Sequence, residues 1–182
     1  MPVEAGRQGS PSEEVTVTPG WRARSSFTAR KRRVLDGLTI ANGPAFTADG
    51  TLMYLADTAV GTVLRCRVDP VSADLRGAPE TFAQLREGEG GPDGMTVDEE
   101  GCLWGALWGA GTVRRYHPDG RLLHTLTAPA PHPTSVCLHP DGGRLFVTTA
   151  RYGVTSPTAA SGAVLGLPVT VGGTTACSWR AG

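Results

Sequence analysis

Neither sign of charge dominates this chain, in which 17 Lys and Arg balance 17 Asp and Glu. The isoelectric point is accordingly near 6.9. That balance argues against nucleic acid or an anionic membrane as a partner of the chain as a whole. No apolar run approaches the roughly 18 residues of a membrane span. The N-terminus lacks the basic start and apolar stretch of a secretory signal, so the expected location is cytoplasmic. Cysteine is sparse: Cys66, Cys102, Cys137 and Cys177 lie far apart without a C-x-x-C pair, which suits neither a zinc site nor a small disulfide scaffold. Cys66 and Cys137 sit within apolar strand patterns and are expected in the core. No window of 11 or more residues has apolar spacing at i, i+3, i+4 and i+7, so no long helix is expected. Turn formers abound instead, with 25 Gly and 14 Pro.

A short unit occurs three times. It reads NGPAFTADG from Asn42, DGMTVDEEG from Asp93 and TSVCLHPDG from Thr134. Each copy starts on a small polar residue, runs through a short apolar stretch and turns at a Gly eight positions on. A second run rich in aromatic and β-branched residues follows: LMYLA at 52–56, LWGA at 103–106 and LFVT at 145–148. The starts at 42, 93 and 134 are 51 and 41 residues apart. That is the period of propeller blades, not of helical repeats.

The remaining segments extend the pattern. Pro44–Thr47, Met95–Val97 and Val136–Leu138 read as innermost strands, and 52–57, 103–107 and 145–149 as second strands. Alternating apolar residues at 62–68 and 111–116 mark third strands. Outer strands are expected at 81–85 and 122–126. The third blade would end with 162–169 and a further strand at 176–179. The chain is therefore expected to be all-β. Residues 35–182 amount to about three blades of roughly 40–50 residues, an incomplete ring, since closed propellers use four to eight. Residues 1–34 lack apolar alternation and crowd Arg22, Arg24, Arg30, Lys31, Arg32 and Arg33 without an acid. They read as an atypical segment, disordered or aberrant, joined to the repeats by a truncated or shifted start. Exposed blade edges would favour pairing with another copy, a homo-oligomer.

In a propeller the innermost strands line a central channel. Asn42, Asp93 and Thr134, each just ahead of such a strand, are expected to converge on one axial pocket. An amide carbonyl, a carboxylate and a hydroxyl without Cys or His favour a hard cation such as Ca²⁺ or Mg²⁺ over zinc. His132, two residues before Thr134, is a candidate substrate contact beside Thr134 itself. Asp57 reads as a support for the site or as a turn cap. Trp104 and Trp108 read as blade packing or as a sugar-stacking surface, and His117 and His139 as turn residues.

Three stretches carry a family resemblance: LTIANGPAFTADGTLMYLAD at 38–57, GPDGMTVDEEGCLWGALWGAGTVRRY at 91–116 and PTSVCLHPDGGRLFVTTAR at 133–151. They resemble the SMP-30/gluconolactonase/LRE family, which includes regucalcin. The resemblance implies a six-bladed β-propeller, here represented by its C-terminal half, with one divalent cation in the channel. Ca²⁺ is the first choice of ion, with Zn²⁺, Mg²⁺ and Mn²⁺ as alternatives. It implies hydrolysis of a small sugar lactone, with Asn42 and Asp93 as metal ligands and Asp93 also the catalytic acid or base. The cation would polarise the lactone carbonyl while Asp93 accepts a proton from attacking water. The family's Glu ligand and further substrate-binding residues belong to blades that have no counterpart here, and Glu4, Glu13 and Glu14 lack the surrounding motif. The alternatives are a non-catalytic propeller-derived binding or assembly module and a non-functional fragment.

Overall fold

The computed structural model describes residues 33–174 and the backbone of two short strands before them. Those strands, β1 (Glu14–Val17) and β2 (Phe27–Arg30), pair antiparallel within a first unit, Met1–Gly37. The second unit, Leu38–Gly182, holds three antiparallel sheets. The first comprises β3 (Ala41–Phe46), β4 (Leu52–Asp57), β5 (Thr62–Arg67) and β6 (Glu80–Gln84) in chain order. The second repeats that meander with β7 (Gly91–Val97), β8 (Leu103–Trp108), β9 (Thr112–Tyr116) and β10 (Leu122–Thr127). The third contains β11 (Pro133–Leu138), β12 (Arg144–Thr149) and β13 (Val164–Pro168). Among the described residues there is no helix. The expected strand at 176–179 lies outside them.

The three sheets are consecutive blades of an open propeller arc. Their first strands are neighbours, β7 packing against both β3 and β11. The turn from first to second strand is made the same way in each blade. Gly50, Gly101 and Gly142 take φ of +69°, +78° and +82°, and their N–H groups donate to the carbonyls of Thr47, Asp98 and His139. A Cβ at that φ would be strained, which is why the repeat closes on Gly. His117 and His139 are turn residues, as expected, each accepting at Nδ1 from the N–H two positions on.

Each blade buries its faces against the adjacent blade. Ala45, Tyr54, Ala56 and Val63 of the first meet Met95, Val97, Leu103 and Tyr116 of the second. Phe82 lies edge-on to Tyr54 and Tyr116 at 4.8 and 6.1 Å. On its other face the second blade presents Trp104, Ala106 and Val113 to Val136, Leu138, Leu145 and Val147 of the third. Removing such side chains from water contributes about 1.5–3 kcal/mol each. Cys66 is buried as expected, but Cys137 is exposed. The period of β11 explains this, since Val136 and Leu138 take the core face and leave Cys137 on the opposite one.

A buried polar knot locks the second blade. Asp98 is 1% exposed and occupies the turn position held by Thr47 and His139 in the other blades. Its Oδ1 accepts from the N–H groups of Glu100 and Cys102 at 3.0 and 2.8 Å. Its Oδ2 accepts from Trp104 Nε1 and Arg115 Nε, both at 2.8 Å. Arg115 also reaches Glu100 at 2.7 Å and lies 5.6 Å from the Trp104 ring centre. Removing one partner of such a knot leaves the other buried charge unpaired, at a cost of about 3–5 kcal/mol. Asp98→Ala should lose stability on that scale in urea unfolding. Glu100→Ala, at the exposed rim of the same knot, should cost less than about 1 kcal/mol.

Candidate functional site

The first strand of every blade is interrupted near its start. Pairing shifts between Asn42 and Ala45, between Pro92 and Met95, and between Pro133 and Ser135. One extra residue is thus accommodated at the same place in each blade, and such a bulge re-aims side chains out of the regular alternation. Asn42, Asp93 and Thr134 all fall at these irregularities. They lie inside β3, β7 and β11 and do not precede them, because strand pairing begins before the bulge.

A hydrogen-bonded chain joins the first two blades here. Asn42 Nδ2 donates to Thr58 Oγ1 at 3.0 Å, and that hydroxyl donates to the Pro92 carbonyl at 2.7 Å, one residue from Asp93. The Asn42 amide is thereby oriented, and its Oδ1 makes no hydrogen bond to the described residues. Asp93 is half-buried and has no cationic partner among them. Burial raises its carboxyl above the ordinary carboxylate value, with the Gly94 N–H working the other way. A half-buried carboxylate without a counter-charge and an amide oxygen with no hydrogen bond on the adjacent blade are oxygen donors that suit a hard cation in kind. Among the described residues no three His, Cys, Asp or Glu gather into a metal cluster. Two oxygen-bearing side chains are also fewer than the six to eight oxygens Ca²⁺ takes.

Thr134 and His132 stand differently. The Thr134 hydroxyl is paired with Thr148 Oγ1 at 2.7 Å within its own blade and is no part of the Asn42–Thr58–Pro92 chain. His132 stacks on Trp108 with ring centres 4.1 Å apart, and its Nδ1 lies 3.2 Å from the Tyr152 carbonyl oxygen. Trp104 is committed to the buried knot, so of the two tryptophans only Trp108 borders this end of the blades. Asp57 is a cap: its carboxylate accepts from the N–H groups of Ile40 and Thr39 at 3.0 and 2.7 Å, and these bonds hold its carboxyl below the ordinary value. It thereby fixes the chain entering β3. Thr58 was not visible as a site residue, since the equivalent positions in the other blades are Trp108 and Ala150. A cleft of about 530 Å³ opens beside Thr58 and Gly91, lined also by Val60, Leu85 and Arg86.

Gly94 sets how closely the blades approach. A Cβ there would lie 2.4 Å from Ser135 Oγ and 2.8 Å from Ser135 Cα. The Asp-Gly pair therefore sets a carboxylate next to a residue whose lack of a Cβ lets β7 approach Ser135 of β11.

A sequence profile of the SMP-30/gluconolactonase/LRE-like region matches residues 6–151. The chain belongs to this family. It is 35% identical to an L-arabinolactonase of Azospirillum brasilense over 82% of the chain and 49% of that enzyme. It is 33% identical to a regucalcin of Xenopus laevis over 65% of the chain and 40% of that protein. The fold is similar to that of a calcium-binding regucalcin from Agrobacterium tumefaciens, with a TM-score of 0.71 and 30% identity over 81% of this chain and 50% of that one. The chain thus spans about half the length of the relatives it matches.

Gly94→Ala should destabilise the protein by about 1–3 kcal/mol through overpacking. Adding Ser135→Gly removes the Oγ and Cβ clashes but leaves the backbone of residue 135 in the way, so thermal unfolding of the double variant should recover part of the loss.

Proposed function

We propose that this chain carries the catalytic edge of a metal-dependent sugar-lactone hydrolase, with Asn42 and Asp93 as its ligands to a divalent cation, Ca²⁺ first. The observation that carries the reading is the pairing of an uncompensated, half-buried Asp93 carboxylate with the oriented Asn42 amide at equivalent bulges of adjacent blades. The L-arabinolactonase relative supports the substrate class.

When bound, the cation would supply electrophilic polarisation of the lactone carbonyl. The residues of this chain do the rest. Asn42, held by Thr58, presents its Oδ1. Asp93 accepts a proton from the water that adds to the carbonyl carbon and returns it to the ring oxygen as the ring C–O bond breaks. The product is the open hydroxy acid, and Asp93 regains its charge. His132, stacked on Trp108, offers its second ring nitrogen to substrate hydroxyls at the mouth, and Thr134 has a remaining hydroxyl lone pair beside it.

Asp93→Asn should reduce cation-dependent lactone hydrolysis by 100-fold or more while the fold is retained. Undiminished hydrolysis by that variant, or none by the parent chain with any divalent ion, rules the reading out. Stability carries the opposite sign. A carboxyl raised in the folded state stabilises fully only below its unfolded value, and that contribution is lost as pH rises through the folded value. Without cation, Asp93→Asn should therefore melt higher than the parent at pH 7, and the gain should vanish near pH 3. Saturating Ca²⁺ at 100 times its Kd should raise the parent midpoint by roughly 5–10 °C and leave Asp93→Asn unmoved.

A further inference from the structure

The cleft of about 530 Å³ beside Thr58 has walls that are tied to each other. The turn between β4 and β5 supplies Val60 and Gly61 on one side, and the connection from β6 to β7 supplies Leu85 and Arg86 on the other. Gln84 joins the two, its Nε2 donating to the carbonyls of Val60 and Gly61 at 2.9 and 3.2 Å. The Leu85 N–H donates to the Gly61 carbonyl at 2.8 Å, and the Leu85 side chain is buried.

A second set of contacts fixes the connection on the second blade. Glu89 Oε2 accepts from the Arg86 N–H at 2.8 Å, and its Oε1 pairs with Arg114 of β9 at 2.7 Å. Gly90, at a φ of +85°, seats the chain where a Cβ would lie 2.7 Å from the Trp108 carbonyl oxygen. At Gly91 an added Cβ would lie 2.7 Å from Thr58 Cγ2. A cleft bounded in this way is preformed, and its size falls among small-molecule pockets of about 300–1,000 Å³.

Two charged side chains on its wall are left over. The Arg86 guanidinium and the Glu87 carboxylate line the cleft, are exposed, and make no hydrogen bond or ion pair with the described residues. An anion in the cleft would meet Glu87, and a cation would meet Arg86. An uncharged ligand that both accepts and donates satisfies the two together, as hydroxyl groups on neighbouring carbons do. Val60 and Leu85 offer apolar surface to the C–H groups of such a chain.

The inner wall of the cleft is Thr58, which accepts from the Asn42 amide and donates to the carbonyl preceding Asp93. A lactone ring held at Asn42 and Asp93 thus has the cleft one side chain away. On the strength of the lactonase reading, we propose that the cleft is the subsite for the polyhydroxyl side chain of the lactone. Arg86 donates to its hydroxyls and Glu87 accepts from them. The favoured substrate is then a lactone whose ring carries a side chain of two hydroxylated carbons or more.

D-galactono-γ-lactone and L-arabinono-γ-lactone share one ring and differ in that side chain, dihydroxyethyl in the first and hydroxymethyl in the second. With Ca²⁺, the parent chain should favour the first by roughly tenfold in kcat/KM. Arg86→Ala and Glu87→Ala should each bring the ratio close to unity, by raising KM for the longer lactone at unchanged kcat. Both side chains are exposed and unbonded, so each variant should keep the parent's melt. If one does not, Val60→Phe, which fills the cleft from its other wall, should collapse the ratio instead. Equal kcat/KM for the two lactones in the parent, or a ratio that survives these substitutions, overturns the subsite and leaves lactone hydrolysis standing. Hydrolysis of neither lactone with any divalent ion removes both. Binding gives a readout apart from turnover. In NMR titrations, galactitol should shift the amide resonances of Gly61, Gly88 and Gly109 in the parent but not in Arg86→Ala. Their failure to shift in the parent overturns the cleft as the place of binding.

Discussion

A short antiparallel sheet has two faces, and in this architecture a neighbouring sheet covers most of what is buried on them. Everything else follows from that constraint. Tyr54, Trp104 and Phe146 are the same structural position; the second blade buries Tyr54 and the third buries Trp104, while Phe146 on the third blade is 38% exposed. The middle blade, covered on both sides, can tolerate a buried charge because its neighbours exclude water from a fully satisfied knot. Among the described residues, Asp98 and Arg115 occur there and nowhere else in that form. The end blades carry polar or small residues at the corresponding places, Thr47 with Arg65 in the first and His139 with Gly166 in the third.

The same close packing builds the site. Inner strands of adjacent blades nearly touch, which requires Gly94, and they also turn polar side chains out of the regular alternation. The bulge reconciles the two demands by inserting a residue near the start of each strand. Asp93 stands where blade packing takes water away and no cation of the described chain compensates. A half-buried carboxylate without a counter-charge costs stability. Thr58 gives it precision by tying the Asn42 amide to the backbone next to Asp93.

Much of this was legible from the order of residues alone. Period, turn chemistry and alternation are local properties, so the three repeats, the glycine turns, the all-β class and the coupling of Asn42, Asp93 and Thr134 to one register could be read directly. Asp57 as a cap and His117 and His139 as turn residues followed from the same local rules. What sequence could not supply was anything decided by the third dimension. Cys66 and Cys137 both lie in strands that contain apolar residues, yet one is buried and one exposed because their strands present those positions to different sides. Thr58 became a site residue only through partners 16 and 34 positions away. Thr134 shares the register of Asn42 and Asp93, but its hydroxyl is taken by Thr148 across the strand. Sequence determined which positions are equivalent. Tertiary structure decided what each equivalent position touches, because burial and partnership belong to the neighbouring blade and not to the residue itself.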